Sequence, residues 1–338
     1  MPPELNLEIK CITFNSDDIP IVYYAQGMKI LVTGGSGFIG SHLIHKLIEK
    51  PNFEVKNLDL KDTRITKEGF ETIKGDIRDV NLIEQLVSSN DVIFHMAAML
   101  GVENIIANPL ESLDVNLNGS LNILKACSKY KKPILISSSS EIYGDTSEQP
   151  IYESSRRVLG SPFNYRWVYS ESKALEESAA AFHRVKDGLD FIVARFFNTV
   201  GPGQNGKYGM VVPRFVMAAL KNQDLEVYGD GTQSRVFCHV TDAVGAITAL
   251  MFNDPKYGEA YNIGGEVEIS ILNLAKRIVD LLNSKSTIKL IPYSQKYKAG
   301  FEDMKRRVPN TSKLRKVTNW SPKFGLDDII LDVAKSFS

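Results

Sequence analysis

The chain has 338 residues, 43% of them hydrophobic and 24% charged, which is the balance of a globular protein with one large α/β domain or two domains that share a core. The chain carries 40 Lys and Arg and 40 Asp and Glu, so its net charge is zero. This balance argues against a nucleic-acid partner, because proteins that bind nucleic acids usually carry an excess of basic residues. No apolar run approaches the roughly 18 residues of a membrane span, and three scattered cysteines, without metal-ligand spacing, indicate reduced thiols in a cytoplasmic protein.

Residues 1–27 differ in pattern from the rest of the chain. They begin with acidic rather than basic residues and lack the apolar stretch of a signal peptide. Met28 directly precedes a strong predicted strand, so we interpret residues 1–27 as an extension that is disordered or lies upstream of the native start. The β-rich "IPIVYY" also allows this segment to add a strand.

Short apolar strands alternate with amphipathic helices from Met28 to about Val200. The strands are "KILVTG", "FEVKNLDL", "DVIFHMAA", "PILISS" and "LDFIVARFFN", and the longest intervening helices are "SLDVNLNGSLNILKACSKY" and "YSESKALEESAAAFHRVKDG". This alternation predicts an α/β fold with a Rossmann-type, doubly wound parallel sheet over residues 28–200. Residues 201–338, which include a Gly-rich loop and the helix "ISILNLAKRIVDLLNS", are expected to form a smaller α/β lobe packed on the larger one.

A glycine motif joins the first predicted strand to the first predicted helix. Gly34, Gly37 and Gly40 form G-x-x-G-x-x-G, with Phe38 and Ile39 opening the helix. In this pattern the first glycine permits a tight turn, the second lets a pyrophosphate approach, and the third allows close helix–strand packing. The free N–H groups at the helix start favour the phosphates of a dinucleotide.

Acidic residues follow the next two strands. Asp59 ends the second strand, where a carboxylate accepts hydrogen bonds from ribose hydroxyls and repels a 2′-phosphate, so NAD is favoured over NADP. Asp76 and Ile77 lie where a third strand would end, and we expect them to contact the adenine. His95 ends another strand and is expected to be structural, although a place in the cofactor cleft stays open.

A tyrosine and a lysine stand four residues apart at a predicted helix start. Tyr169 and Lys173 form Y-x-x-x-K, and this spacing places both side chains on one helical face. A tyrosine is a poor base at neutral pH, and a neighbouring ammonium favours its phenolate form. Downstream of a dinucleotide motif, the pair predicts a catalytic base and its activator.

With these motifs the sequence resembles the extended short-chain dehydrogenase/reductase family, in particular its nucleotide-sugar epimerases, dehydratases and decarboxylases. The resemblance runs from Met28 to the C-terminus and rests on "VTGGSGFIG", "GDI", "HMAA", "SSSSEIYG", "YSESK", "RFFNTVGP", "VYGDGTQSR" and "RRVP". It implies a tightly held NAD in residues 28–200, a nucleotide-sugar substrate bound mainly by residues 201–338, and oxidation of the sugar C4 hydroxyl to a ketone. It also implies a homodimer joined through a four-helix bundle, made by helices near 113–130 and 168–186.

The resemblance assigns roles to individual residues. Tyr169 is the base, Lys173 lowers its pKa and holds the ribose, and Ser139 bonds the C4 oxygen. The further cofactor contacts that we expect are Ala97, Ala98 and, behind the site, Asn116. The further substrate contacts that we expect are Asn198 and Arg235 at the diphosphate, Val212, and Tyr228 in "LEVYG", where backbone groups would meet the nucleobase.

The residues after Ser139 distinguish the possible reactions. Sugar 4,6-dehydratases carry Asp-Glu where this chain has Ser140 and Glu141, and a serine is a much weaker acid for expelling the C6 hydroxide. Simple 4-epimerases usually lack the acid at both positions. Ser-Glu resembles the uronic-acid decarboxylases, so we place Ser140 and Glu141 at the substrate, with Glu141 orienting it.

Two arginines support the decarboxylase interpretation. Arg166 gives the form Arg-x-x-Tyr-x-x-x-Lys, and Arg307 matches the arginine of the decarboxylases' Arg-Lys-Pro segment, where Val308 replaces the lysine. We expect Arg307 to protonate C5 or bind phosphate. The prediction is a UDP-glucuronate decarboxylase that forms UDP-xylose or a 4-keto-pentose. A nucleotide-sugar 4,6-dehydratase, a 4-epimerase and, remotely, a non-catalytic NAD sensor remain open.

Overall fold

A computed structural model describes residues 27–63, 65, 67–99, 108–164, 167–204, 206, 210–296 and 304–337. Residues 1–26, and with them nearly all of the predicted extension, lie outside these ranges. The described strands are β1 Met28–Thr33, β2 Phe53–Asp59, β3 Phe70–Lys74, β4 Val92–His95, β5 Ile134–Ser139, β6 Phe191–Phe196, β7 Thr199–Val200, β8 Leu225–Tyr228, β9 Ser234–Val236, β10 Cys238–His239, β11 Glu259–Ile263, β12 Glu268–Ser270, β13 Ile288–Ile291 and β14 Arg306–Arg307.

Helices connect these strands. The described α-helices are α1 Phe38–Ile48, α2 Val80–Ser88, α3 Pro109–Leu113, α4 Ser120–Tyr130, α5 Val168–Asp187, α6 Val211–Leu220, α7 Val240–Phe252, α8 Ile271–Leu281, α9 Tyr293–Lys296, α10 Ser312–Thr318 and α11 Leu326–Lys335. A π-helical turn, Asp114–Gly119, joins α3 to α4, and a 3₁₀ turn, Ser140–Tyr143, follows β5. Among the described helices, none is long and apolar enough to cross a bilayer.

Seven parallel strands form the main sheet, in the order β3-β2-β1-β4-β5-β6-β11. The first six follow the Rossmann order, in which ligands bind beyond the carboxyl ends of the strands. The predicted α/β fold with a Rossmann-type sheet is therefore confirmed. The sheet also includes β11, which comes from beyond residue 200, so the division into a NAD-binding domain and a substrate lobe at that residue stays a prediction.

Both faces of the main sheet are covered by helices. Ile30 and Val32 face one apolar cluster, to which α1 and α7 contribute, while Leu31 faces the opposite cluster with α2 and α4. Burial on both sides explains why these strands read as continuous apolar runs. A third cluster, formed largely by α6, α8 and α11, is the core of the smaller lobe.

The structure departs from the predicted elements at several helices. The expected long helix near 113–130 is interrupted by the π-helical turn, which places Asn116 on the inner side. Helices α7, α10 and α11 are not predicted from the sequence, because α7 is apolar on nearly every side and the basic tail carries mixed turn and helix signals.

Candidate active site

The glycine loop after β1 is shaped by backbone crowding. Gly34 has φ +73°, and a Cβ at this residue would lie 2.5 Å from the backbone nitrogen of Ala97. A Cβ on Gly40 would lie 2.3 Å from the carbonyl oxygen of Gly34, which explains the close contact between α1 and the strand. Gly37 caps α1 without a side-chain hydrogen bond, so the first N–H groups of Phe38 and Ile39 lie at an open helix start.

Two side chains at the end of β2 brace this loop. Asn57, which is fully buried, accepts a hydrogen bond from the Gly35 N–H at 2.8 Å, and Asp59 accepts one from the Ser36 N–H at 3.0 Å. The other Asp59 oxygen accepts from the Lys61 N–H at 3.0 Å. The structure thus brings the predicted ribose carboxylate directly beside the glycine loop.

Asp76 and Ile77 follow β3. The Asp76 carboxylate is held by the Arg78 guanidinium at 2.6 Å, and Arg78 also binds Asp114 at 2.9 Å. The hydrogen bond from Arg78 lowers the pKa of Asp76 despite its partial burial. Ile77 packs into the core, against Gly119. Both residues lie at the expected sheet edge, and Arg78, which no sequence motif indicates, fixes Asp76 there.

The chain after β4 carries Ala97 and Ala98 across the end of the sheet. The Ala97 N–H donates to Thr33 Oγ1 at 3.3 Å, which joins the segment to β1. Buried Asn116 accepts from the Met99 N–H at 2.7 Å and donates to the Met99 carbonyl at 2.9 Å. Asn116 therefore anchors the backbone behind Ala97 and Ala98, which fits its predicted place behind the site.

The serine run begins inside β5 and ends in the 3₁₀ turn. Ser139 is the last strand residue, and its hydroxyl accepts from the Glu141 N–H at 3.2 Å. Ser140 is buried in the turn. The Ser170 hydroxyl donates to the Glu141 carbonyl at 2.7 Å, and this bond fixes the turn against the start of α5.

The predicted base and its lysine share one face of α5. Tyr169 lies in the first turn, and Lys173 follows one turn later. The Lys173 ammonium donates to Glu176 Oε2 at 2.7 Å, and their side chains are 1% and 0% exposed. Burial alone would lower the pKa of Lys173, but the charges of Glu176 and Tyr169 raise it overall. Lys173 is therefore held as a cation.

Burial raises the pKa of the Tyr169 hydroxyl. The Lys173 ammonium opposes this shift, whereas the carboxylates of Glu176 and Glu141 reinforce it. Because its pKa is raised overall, the Tyr169 hydroxyl is protonated at neutral pH.

Buried His95 belongs to a polar chain beneath the catalytic helix. Its Nδ1 lies 2.7 Å from Thr33 Oγ1, its Nε2 lies 2.9 Å from Ser120 Oγ, and the same Nε2 lies 3.4 Å from Glu176 Oε1. Burial and the nearby Lys173 charge lower the pKa of His95 to about 3, so its ring is neutral. The expectation of a structural histidine agrees with these contacts.

Arg307 meets Glu141 at the substrate side. The Arg307 Nη1 lies 2.5 Å from Glu141 Oε1, and its Nη2 donates to Asn198 Oδ1 at 3.1 Å. The Arg307 and Glu141 side chains are only 11% and 18% exposed. Three predicted residues from distant parts of the chain therefore converge beside Ser139.

The remaining substrate-side predictions fall in different surroundings. Arg235 is buried on β9 and is the register partner of Arg307 on β14, so two guanidinium groups stand on neighbouring strands. Tyr228 is the last residue of β8, and the Arg214 guanidinium carbon lies over the Tyr228 ring, 4.4 Å from the ring centroid. The Val212 side chain is fully buried in the core of the smaller lobe, and its expected substrate contact stays a prediction. Arg166 lies outside the described residues.

Glu176 and Asn57 are buried polar residues that contact predicted site residues and that the sequence analysis did not single out. Glu176 stands three residues after Lys173 and seven after Tyr169, so helical periodicity alone puts it on their face. Asn57 shares the face of β2 with Asp59 by the period of two. Both positions were therefore readable from the pattern once the Y-x-x-x-K pair and the strand were placed.

The family model described as the NAD dependent epimerase/dehydratase family matches residues 30–264. The chain belongs to this family. It is 38% identical over 300 residues to a UDP-N-acetyl-alpha-D-glucosaminuronate decarboxylase from Bacillus cytotoxicus, covering 87% of this chain and 92% of that protein. It is 34% identical to UDP-glucuronic acid decarboxylase 5 of Arabidopsis thaliana, covering 89% and 86% of the two chains.

Solved structures of the family share the fold. A UDP-glucuronic acid 4-epimerase from Bacillus cereus, in complex with UDP-glucuronic acid and NAD, superposes with a TM-score of 0.81 at 25% identity, covering 91% of this chain and 98% of that one. The open start of α1, the crowded glycine loop and the Asp59 carboxylate fit a dinucleotide. The cofactor of this enzyme is NAD, as predicted.

Proposed function

We propose that the protein decarboxylates a UDP-linked uronic acid through a 4-keto intermediate, with UDP-glucuronate as the first candidate substrate. The observation that carries this proposal is the Arg307–Glu141 ion pair beside Ser139. A guanidinium suits the carboxylate or diphosphate of such a substrate, and Glu141 gives it a fixed orientation. Ser140 stands where a dehydratase would need an acid.

The oxidation is assigned to the α5 face and the serine turn. NAD, when bound, supplies the reversible oxidation of the sugar at C4. Tyr169 takes the proton of the C4 hydroxyl, Ser139 donates a hydrogen bond to the C4 oxygen, and Lys173 stabilises the phenolate. Burial raises the pKa of Tyr169 in the protein alone, and a cationic group bound beside it would oppose that rise and favour the phenolate.

Decarboxylation follows from the chemistry of the oxidised sugar. A ketone at C4 makes the C5 carboxylate that of a β-keto acid, whose C5–carboxyl bond breaks with its electron pair entering the C4–C5 enolate. Fixed cationic groups stabilise such a developing charge. C5 then gains a proton, which we assign to Arg307 directly or through a water that it orients, and Glu141 keeps the guanidinium in place.

The relatives named as decarboxylases support a nucleotide-sugar substrate of the uronate class. The greater identity to the UDP-N-acetyl-alpha-D-glucosaminuronate decarboxylase favours a second candidate substrate, the uronate with an acetamido group at C2. The two candidates share the C4 hydroxyl and the C5 carboxylate on which the proposed chemistry depends.

The test incubates purified protein and NAD with UDP-glucuronate, UDP-N-acetylglucosaminuronate, UDP-glucose, dTDP-glucose and GDP-mannose in parallel. We expect a uronate to lose one CO₂ when the hydride returns to C4, or one CO₂ and two hydrogens when the 4-keto pentose is released and the cofactor stays reduced, while the neutral hexoses are unchanged. Loss of one water from a neutral hexose, with both uronates untouched, would overturn the proposal in favour of a 4,6-dehydratase.

The same assay distinguishes a 4-epimerase from a non-catalytic NAD sensor. A product of unchanged mass with a new anomeric NMR signal indicates a 4-epimerase. Bound NAD without turnover of any nucleotide sugar indicates a sensor. The product of a successful decarboxylation is identified by NMR as a UDP-pentose or its 4-keto form.

We also propose a homodimer formed through α4 and α5. Three apolar side chains on α5 are exposed in the single chain, Leu175 at 50%, Phe182 at 72% and Val185 at 88%. An apolar helix face of this kind is typical of an interface. Light scattering should give twice the chain mass, and Phe182→Glu should shift the protein to the monomer; a monomeric mass for the unaltered protein would contradict the proposal.

The proposal also includes NAD binding by residues 28–200, substrate binding mainly by residues 201–338, and a cytoplasmic location. The location is supported by Cys127 and Cys238, the cysteines in the described part of the chain, which are buried and unpaired, as is usual in reducing compartments. Cell fractionation with an antibody against the protein tests it.

A further inference from the structure

Glu176 is a buried carboxylate that none of the assigned roles uses. It lies on α5 three residues after Lys173, and its Oε2 accepts from the Lys173 ammonium at 2.7 Å. The next residue, Glu177, is directed elsewhere: it accepts from Ser138 Oγ at 2.5 Å and pairs with Arg195 at 2.6 Å. Two successive glutamates therefore serve different partners, and only Glu176 is paired with the proposed catalytic lysine.

The Lys173–Glu176 pair is poorly explained as a stabilising contact. Removing two charges from water costs several kcal/mol per ion, and a buried ion pair replaced by apolar side chains of equal volume often leaves a protein equally stable. The charge of the carboxylate, rather than its packing, therefore needs a reason.

We propose that Glu176 is a positioning residue for catalysis, which holds the Lys173 ammonium by a direct ion pair and thereby governs when Tyr169 loses its proton. The inference rests on the proposed role of Tyr169 as the base. An ammonium has three donors, so one bond to Glu176 leaves two for Tyr169 and the cofactor ribose. The Glu176 charge offsets part of the ammonium field and delays ionisation of Tyr169.

Few charged or titratable groups surround the face of α5 that carries Tyr169, Lys173 and Glu176 in the described structure. On α5 they are Tyr169, Lys173 and Glu177, the last neutralised by Arg195. From β4, His95 is held neutral by burial, and from α4 the contact is the Ser120 hydroxyl.

On the substrate side, the turn after β5 contributes Glu141, which is paired with Arg307. Burial raises the pKa of Glu176, and the Lys173 charge opposes that rise. Glu141 and Glu177 are each paired with an arginine, whereas Glu176 is paired with Lys173 itself, so the Glu176 charge acts on Tyr169 both directly and through the ammonium.

The direct test is a ¹⁹F NMR titration of the NAD-bound protein labelled with 3-fluorotyrosine, with the Tyr169 signal assigned by its loss in Tyr169→Phe. Glu176→Gln should move the titration midpoint of Tyr169 to lower pH by about one unit, because a nearby charge shifts a pKa by that order. The acid limb of kcat against pH should move in the same direction.

Glu171→Gln is the matched control, since it removes an equal charge from the same helix at an exposed position paired with Arg157. It should leave the midpoint unchanged. Glu176→Asp retains the charge and should shift the midpoint in the same direction as Glu176→Gln but by less. If Glu176→Gln does not fold by circular dichroism, Glu176→Ala is titrated instead, with the same expected direction.

An unchanged Tyr169 midpoint in folded Glu176→Gln or Glu176→Ala, or an equal shift in Glu171→Gln, overturns the inference. The ¹⁹F measurement needs no turnover, so its result is independent of which sugar nucleotide the enzyme uses. If the Tyr169 midpoint shifts in Glu176→Gln but the unaltered protein decarboxylates neither uronate, the proposed function is contradicted and this inference stands.

Discussion

The cofactor side and the substrate side of the site are built in different ways. On the cofactor side, the glycine loop, Asn57 and Asp59 lie within about one βαβ unit and are positioned mainly by backbone contacts. On the substrate side, Glu141 and Arg307 come from positions 166 residues apart and are joined by charge. Local backbone geometry therefore shapes the predicted cofactor site, while tertiary assembly brings the predicted substrate residues together.

Tyr169→Phe should disable both sides at their meeting point and have the largest effect. It removes the proposed base and leaves the ring, so kcat should fall by about 10²–10⁴-fold. NAD binding, measured by calorimetry, should be retained because the loop and Asp59 are untouched. A variant with near-normal turnover would show that another group is the base.

Arg307→Lys should disable the substrate side alone. A lysine cannot reproduce the contacts of a planar guanidinium with Glu141 and Asn198, so decarboxylation should slow by about 10²-fold. The control is Arg306→Lys at the next position, whose guanidinium pairs with Glu268 and is largely exposed. Equal losses in both variants would mean that strand β14, rather than the Arg307 side chain, is what matters.

Gly34→Ala should disable the cofactor side alone. The left-handed backbone disfavours alanine by about 1–2 kcal/mol, and the added Cβ collides with the backbone of Ala97. NAD affinity and the melting temperature should both fall. Gly188→Ala separates the two causes, because Gly188 also has positive φ, +72°, but has nothing within 4 Å of an added Cβ. It should lower stability modestly without loss of NAD binding.

The smallest effect is expected for the exposed ion pair between Arg306 and Glu268, which is next along β14 to the partly buried Arg307–Glu141 pair. The Arg306 hydrogen bonds lower the pKa of Glu268 to about 2 in the folded protein. Its contribution is therefore complete above the ordinary carboxyl pKa and is lost as the pH falls from about 4.5 towards 2. Because both partners are solvent-accessible, Glu268→Gln should cost less than about 1 kcal/mol at pH 7. Chemical denaturation at pH 7 and at low pH measures the difference.

The sequence predicts the cofactor side better than the substrate side for a physical reason. Strand, glycine turn, helix and acid are consecutive, so their periodicity and spacing already place Gly34 beside Asp59. The pairing of Glu141 with Arg307 depends on the fold of everything between them. The resemblance to decarboxylases named both residues, but only the structure places them in contact.

Periodicity alone does not distinguish a side chain in the core from one that contacts a ligand. The Val212 side chain belongs to the core of the smaller lobe, and its expected substrate contact stays a prediction, because a valine at a helix start carries no signal that separates core from ligand contact. Glu176 carries such a signal through its spacing from Tyr169, yet a glutamate next to another glutamate resembles a solvated face. Only the burial of its side chain shows that Glu176 does not lie on a solvated face, and burial depends on how the chain packs.

The position of β11 has a consequence for synthesis on the ribosome. Strand β11 pairs with β6, although the smaller lobe's helix α6 and strands β8 and β9 are made between them. The growing chain therefore displays the open edge of β6 until residue 263 has emerged. During that interval the edge is a template for unwanted strand pairing. The main sheet is thus completed only after part of the smaller lobe has been synthesised.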